Sequence, residues 1–153
     1  MLKELIAYVV EKVSRLTGMA PTKTQLMKLL YLIDYTHHEQ YGETLSGAQY
    51  VRYLYGPYSV DVERALMDME RTGEVHIEVG VSYEGNPYYC YYSTLGTMRL
   101  ADALIEKLSE ERMKLVDEVL ARYAPLPLDK LLVEVYETPP MKRARRLGEL
   151  LLE

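Results

Sequence analysis

The sequence contains no tryptophan and no phenylalanine, so its 15 tyrosines are its only large aromatic side chains. It has a single cysteine, Cys90, which excludes an internal disulfide and is typical of proteins in a reducing cytoplasm. No apolar run approaches the ~18 residues of a membrane-spanning helix. The first stretch is charged at Lys3, Glu4, Glu11 and Lys12, whereas a secretory signal keeps a longer uncharged segment. We therefore expect a cytoplasmic protein that neither enters a membrane nor is exported.

Patterns that carry catalysis or bind a metal are also missing. The nine glycines are scattered and form no phosphate-binding loop. His37 and His38 are adjacent, so they point to different sides of a helix, and the third histidine, His76, lies in another segment. Cys90 has no lysine or arginine in its strand that would activate the thiol. The residues thus support neither a hydrolase nor a metal enzyme, and we expect no cofactor.

Positive charge is scarce in this chain. Its 18 Lys and Arg residues stand against 23 Asp and Glu residues, which gives a net charge of −5 and a pI near 5.3. General binding to nucleic acid needs a basic surface, so this balance argues against it. The exception is a basic run near the end of the chain, at Lys142, Arg143, Arg145 and Arg146.

The spacing of the apolar residues predicts a mainly helical chain. A composition of 48% hydrophobic and 27% charged residues is that of a globular protein, and 153 residues suit one domain. We expect a single domain over residues 1–153 that ends in a basic amphipathic helix at 141–153. The other helices are predicted over residues 2–16, 22–42, 59–73 and 128–135, and over residues 98–123 with either a restart or an exposed mid-helix turn at 109–111.

Local signals mark the ends of two of these helices. Thr22 and Gln25 have the spacing of a capping box, in which each side chain bonds the other's backbone N–H. Ser59 is a typical N-cap residue for the third helix. Gly42 and Gly73 follow the second and third helices, where glycine commonly ends a helix.

A β-hairpin is predicted between the third helix and the next. Residues 75–81 alternate between apolar and other side chains, residues 84–87 form a turn, and residues 88–93 form a tyrosine-rich return strand. Residues 48–55 read as a further extended segment, which Gly56 breaks. The expected fold class is α+β and mainly α-helical, with the hairpin in a winged-helix-like unit.

The order of helix, hairpin and helix is that of half a winged helix. Residues 65–75 resemble the recognition helix and strand entry of PadR- and MarR-type DNA-binding regulators, and residues 91–96 resemble their wing exit. However, residues 59–72 carry two arginines against four acidic residues, and the hairpin carries no Lys or Arg. Acidic side chains repel phosphates. A winged-helix DNA-binding regulator is therefore the alternative hypothesis, and nucleic acid is not the partner that we expect.

Three segments follow the motifs of one known family. Residues 23–34, KTQLMKLLYLID, look like a K-x-Q-L-x-K-L-L-Y-x-x-D helix. Residues 50–62 are similar to an extended segment that ends in Tyr-Gly-Pro before a helix, and residues 135–144 to a terminal segment. Together they resemble the Panacea domain family, the SocA-like antitoxins, to which GepA-type phage proteins are related. Tyr53 and Met141 stand where the family pattern has tryptophan.

This resemblance implies a non-catalytic protein that binds and neutralises a cognate protein toxin. Some family members are adaptors that deliver the toxin to an AAA+ protease, so the resemblance implies such a protease as a second partner. Tyrosine suits this role because it offers a large, rigid contact area at low entropic cost. The oligomeric state stays open. The candidate partner-binding residues are Tyr50, Arg52, Tyr53, Tyr58, Tyr88 and Tyr91.

Other polar residues invite a structural interpretation. Asp34 falls on a largely apolar helix, and it is either a buried, hydrogen-bonded acid or a surface carboxylate paired with Lys or Arg. Four tyrosines are expected mostly in the core, namely Tyr31, Tyr55, Tyr123 and Tyr136.

Overall fold

The computed structural model describes residues 1–153 and contains seven helices and two antiparallel sheets of two strands each. With 58% of the residues in helices, the predicted mainly α-helical α+β class is confirmed. None of the helices is long and apolar enough to span a bilayer. The elements in chain order are α1 (Leu2–Thr17), α2 (Lys23–Tyr41), β1 (Val51–Tyr53), β2 (Gly56–Tyr58), α3 (Val60–Arg71), β3 (His76–Val81), β4 (Pro87–Tyr92), α4 (Leu95–Lys107), α5 (Glu110–Tyr123), α6 (Leu128–Tyr136) and α7 (Pro139–Arg143).

The predicted caps of α2 and α3 are present. The Thr22 hydroxyl accepts from the Gln25 N–H at 3.2 Å, and the Gln25 side chain accepts from the Thr22 N–H at 3.0 Å. The Ser59 hydroxyl accepts from the Val62 N–H at 3.3 Å. These bonds satisfy N–H groups that the first turn of a helix leaves without partners.

Helix α2 is the central element of the fold. It packs against α1, α5, α6, β2 and β4, and every residue from Leu26 to Asp34 is buried. Helix α1 packs chiefly against α4. The buried apolar side chains form one cluster of 34 residues, so all these elements share a single hydrophobic core.

The hairpin β3–β4 has a buried base and an exposed tip. At the base, Tyr91 pairs with Ile77 and is buried. Nearer the tip, Tyr89 pairs with Val79, and the side chains of Tyr89 and Val79 are exposed. Tyr88 lies on the opposite face, where its ring covers Gly80. The Tyr91 N–H donates to the Pro21 carbonyl at 2.9 Å. The hairpin is thereby fastened to the start of α2.

The helix predicted at 141–153 is wrong. Helix α7 ends at Arg143, and after a turn at residues 146–148 the chain pairs with the free edge of β1. The Arg52 N–H donates to the Glu149 carbonyl at 2.9 Å, and the Leu151 N–H donates to the Tyr50 carbonyl at 3.0 Å. An unpaired strand edge offers backbone partners to any extended segment, and pairing there also buries the Leu151 side chain.

The proline pair Pro139-Pro140 begins α7. Proline is well suited to the first turn of a helix, because the N–H that it lacks would have no partner there. Helix α6 ends at Tyr136, three residues before Pro139.

Candidate partner-binding groove

A groove of about 480 Å³ lies where the start of α2, the hairpin β1–β2 and α6 meet. We call it the aromatic groove. Tyr53 and Tyr58 line it from the hairpin, Met27 from α2, and Leu128 and Leu132 from α6. The groove is thus apolar along three elements and open to the surface.

The hairpin β1–β2 gives the groove its exposed rim. Val51 pairs with Tyr58 and Tyr53 pairs with Gly56. Gly56 has φ of 106°, which side-chain-bearing residues rarely adopt, so the hairpin needs glycine there. The rings of Tyr53 and Tyr58 are 5.5 Å apart. Three neighbouring large side chains are therefore presented to solvent at the tip, namely Tyr53, Leu54 and Tyr55.

Lys28 is a buried cation in the wall of this groove. Its side chain is only 6% exposed. The ammonium donates to the Pro57 carbonyl at 3.2 Å and pairs with no carboxylate. Burial lowers the pKa of Lys28 from 10.5 to about 8, because a low-dielectric surrounding disfavours the charged form.

Lys23 and Glu63 connect the groove to the hairpin β3–β4. The Lys23 ammonium forms an ion pair with Glu63 and lies 5.8 Å from the centre of the Tyr89 ring. The second carboxylate oxygen of Glu63, Oε2, is buried and has no hydrogen-bond partner. The exposed Tyr89 therefore continues the surface that begins at Tyr53.

Four of the six candidate residues reach the surface in part or fully. Tyr53 is 49% exposed and Tyr88 is 44% exposed, and Tyr58 is half-buried in the groove. Arg52 is also half-buried, and its guanidinium donates to the Met141 carbonyl at 2.9 Å and lies 5.7 Å from the Tyr136 ring centre. Arg52 thus braces β1 against α6 and α7.

The expectation that Tyr50 and Tyr91 form a contact surface is wrong. Tyr50 is 0% exposed and Tyr91 is 3% exposed. The Tyr50 hydroxyl donates to the Asp34 carboxylate at 2.7 Å, and Tyr91 faces inward at the base of its hairpin. Both rings pack in the core. Where several tyrosines lie close together in the sequence, the backbone geometry decides which of them point inward.

The expectation that Tyr55 packs in the core is also wrong, because it is 77% exposed at the hairpin tip. Tyr31 is fully buried as predicted, and Tyr123 and Tyr136 pack against the edge of the core. Sequence reasoning missed Lys28 and Leu128 as groove residues. The spacing of Leu128 on an amphipathic helix offered no signal that a groove would form beside it.

Of the two alternatives for Asp34, a buried hydrogen-bonded acid or a surface carboxylate paired with Lys or Arg, the structure shows the buried acid. It accepts hydrogen bonds from the Ser46 backbone N–H at 2.9 Å, from the Ser46 hydroxyl, and from Tyr50. Burial raises the pKa of Asp34 despite these bonds. The carboxylate holds the segment that leads from α2 into β1, and it does not line the aromatic groove.

The structure assembles no metal-ligand cluster, as no three His, Cys, Asp or Glu side chains lie close enough to hold an ion. Both ring nitrogens of His37 already have partners, the Glu43 carbonyl at 2.7 Å and the Arg112 guanidinium at 3.0 Å. Cys90 is half-buried on β4. The hydrogen bond between Arg112 and His37 therefore joins α5 to α2.

The fold and the groove define a small, mainly helical domain with an exposed aromatic concavity. The family model described as "Antitoxin SocA-like, Panacea domain" matches residues 26–139. This span covers most of the chain, including α2 from its first turn onward, β1–β2 and α6, so the chain belongs to the SocA-like Panacea domain family. The resemblance inferred from the three motifs is confirmed. Among the curated proteins and the solved structures, no significant match was found.

Proposed function

We propose that the protein is an antitoxin that binds a cognate protein toxin at the aromatic groove and thereby neutralises it. Membership of the SocA-like antitoxin family indicates a role in a toxin–antitoxin system. The observation that carries the finer proposal is the cluster of exposed Tyr53, Leu54 and Tyr55 on the rim of a groove with apolar walls.

Physical chemistry supports this use of the groove. Contiguous exposed apolar surface beside a concavity is typical of protein-binding sites. Tyrosine at the centre of an interface often contributes more to affinity than its neighbours, because the ring excludes water and the hydroxyl tolerates solvent before binding. Tyr88 stays a predicted contact, on the outer face of the hairpin β3–β4.

Delivery of the toxin to an AAA+ protease is the second form of the proposal. Both forms need the same toxin contact, and they differ in what happens after binding. Rescue of growth in cells that lack the protease would support direct neutralisation. Rescue that requires the protease would support the adaptor form.

No observation favours the winged-helix DNA-binding alternative. Arg64 and Arg71 on α3 are accompanied by Asp61, Glu63, Asp68 and Glu70, and β3–β4 carries no basic residue. The basic run at 142–146 lies outside this unit, and Lys142 within it pairs with Glu137 at 2.9 Å. We therefore do not propose DNA binding.

The test is growth rescue with a matched tyrosine control. The protein encoded beside this gene is expressed alone and then with the full chain, and its affinity for the purified chain is measured. We expect the Tyr53→Ser/Tyr55→Ser variant to lose rescue and to bind at least about tenfold more weakly. Tyr83→Ser, at the fully exposed turn of β3–β4, is the control and should behave as wild type.

Two results would argue against this proposal. A wild-type chain that neither binds nor rescues would reject the antitoxin function. A groove variant that binds as tightly as wild type would reject the groove as the contact. Thermal melting of each variant shows whether a loss of binding comes from unfolding.

A further inference from the structure

Lys28 has fewer partners than a buried ammonium needs. The group has three N–H donors, and only the Pro57 carbonyl accepts from it. Burial of a charge without an opposite charge is unfavourable. The partly buried Lys23, by contrast, has a carboxylate partner in Glu63. Packing alone would be served equally well at position 28 by an apolar side chain of similar length.

Glu63 supplies a second unsatisfied group in the same groove. Its Oε1 is paired with Lys23, while its Oε2 is buried without a donor. Lys28 and Glu63 both line the aromatic groove. The groove wall therefore combines an ammonium that has unused N–H donors with apolar side chains, and Glu63 adds a negative charge beside them.

We propose that the aromatic groove receives an extended segment of the toxin, with an Asp or Glu side chain paired to Lys28. Flanking apolar side chains of the same segment lie against Tyr53, Tyr58 and Leu128. This inference rests on the proposed function, since it names what the toxin must present to the groove.

The charges select a peptide carboxylate over a phosphate. Lys28 is the one cation of the groove that lacks a carboxylate partner, because Lys23 is already paired with Glu63. A single ammonium matches a single carboxylate, whereas a phosphate or a nucleic acid strand needs several basic groups. The carboxylate of Glu63 in the same groove would repel a polyanion.

The experiment measures toxin affinity and thermal melting of full-length variants. Lys28→Met should weaken binding roughly tenfold or more, because a desolvated charge pair is lost. Its melting temperature should equal or exceed that of wild type, because an unpaired buried charge is removed. Lys130→Met removes the same charge from an exposed position of α6 and should leave both quantities unchanged.

Toxin variants then locate the partner group. Each Asp and Glu of the toxin is changed to its amide. One of these changes should weaken binding by a similar factor in wild type and have no further effect in Lys28→Met, as expected for two directly interacting groups.

The outcomes separate this inference from the proposed function. Failure of the wild-type chain to bind the toxin rejects the function and the inference with it. Tight binding by Lys28→Met, or the absence of any coupled acidic residue, overturns the inference and leaves the function intact. A lower melting temperature with unchanged affinity would assign Lys28 to the fold alone, as a tether of β2 through Pro57.

Discussion

At the scale of the residue, two polar side chains of α2 are buried with different surroundings. Asp34 accepts hydrogen bonds from both the backbone and the hydroxyl of Ser46 and from Tyr50, so its desolvation is largely compensated. Lys28 has only the Pro57 carbonyl. The hydrogen bonds of Asp34 stabilise the connection between α2 and β1. Lys28, in contrast, keeps N–H donors without acceptors in the wall of the aromatic groove. Burial alone therefore does not distinguish a structural polar residue from a recognition residue.

We predict that Tyr50→Phe lowers the free energy of unfolding by about 1–3 kcal/mol, because the buried Asp34 carboxylate loses a donor. Burial and the adjacent Asp34 raise the pKa of Tyr50 well above its usual value, in line with a phenol that stays protonated and donates. Urea denaturation followed by circular dichroism measures the change. Tyr53→Phe is the matched control, since its ring is exposed, and it should shift the value by no more than about 0.5 kcal/mol. Equal effects of the two changes would contradict the structural role of Tyr50.

At the scale of the element, α1 and α4 are joined by packing and by one ion pair at their ends. Lys107 of α4 bonds Glu4 of α1, and the chain's amino group lies 3.1 Å from the other Glu4 oxygen. The bond to Lys107 lowers the pKa of Glu4 to about 2. Because the unfolded state takes up a proton at higher pH than the folded state, this pair stabilises the fold above pH 4.5. The stabilisation is lost as the pH falls toward 2.

We predict that Lys107→Met lowers the free energy of unfolding at pH 7 by about 1–2 kcal/mol, a value reduced for the partial exposure of Lys107. The difference from wild type should shrink as the pH falls from 4.5 to 2. Urea denaturation over a series of pH values measures it. Lys114→Met, which breaks the exposed pair with Glu118, should change little at any pH. A difference from wild type that does not depend on pH would contradict the assignment.

At the scale of the whole molecule, the end of the chain completes the sheet beside the groove. Residues 148–151 pair with the outer edge of β1, and β2 and the groove lie on its other side. A two-stranded hairpin is marginal by itself. The extra pairing and the buried Leu151 therefore hold β1–β2 in the position that forms the groove wall.

We predict that Leu151→Ala speeds hydrogen exchange at the Arg52 amide, which donates to Glu149, and lowers stability by about 2 kcal/mol. Amide exchange followed by NMR measures the local opening. Leu150→Ala changes the neighbouring exposed side chain and should leave that exchange rate near wild type. An Arg52 amide that exchanges equally slowly in both variants would show that the terminal segment does not hold β1.

Much of the fold could be predicted because its signals are local. The boundaries of α2 and α3 follow from Thr22, Ser59 and the glycines Gly42 and Gly73. The hairpin β3–β4 follows from alternation and its turn. For the aromatic groove, the sequence indicated the segment at residues 50–62 but not which of its side chains face the groove. A strand of three residues is too short for alternation to show its inward face, so Tyr50 and Tyr55 were assigned to the wrong sides. Lys28 belongs to the motif at residues 23–34, but its burial could not be predicted, because it comes from the β1–β2 hairpin, which is distant in sequence.

The sequence by itself determined the family, the helices with their caps, and the concentration of tyrosine around two hairpins. Tertiary structure decided which rings are exposed, that Lys28 and Glu63 share one groove, and that residues 148–151 pair with β1. The physical reason is the range of the interactions. Caps, turns and helical periodicity act within a few residues, whereas burial and strand pairing depend on surfaces that exist only after distant segments have packed. The leucines near the end of the chain fit a helix or a strand, and the open edge of β1 selected the strand.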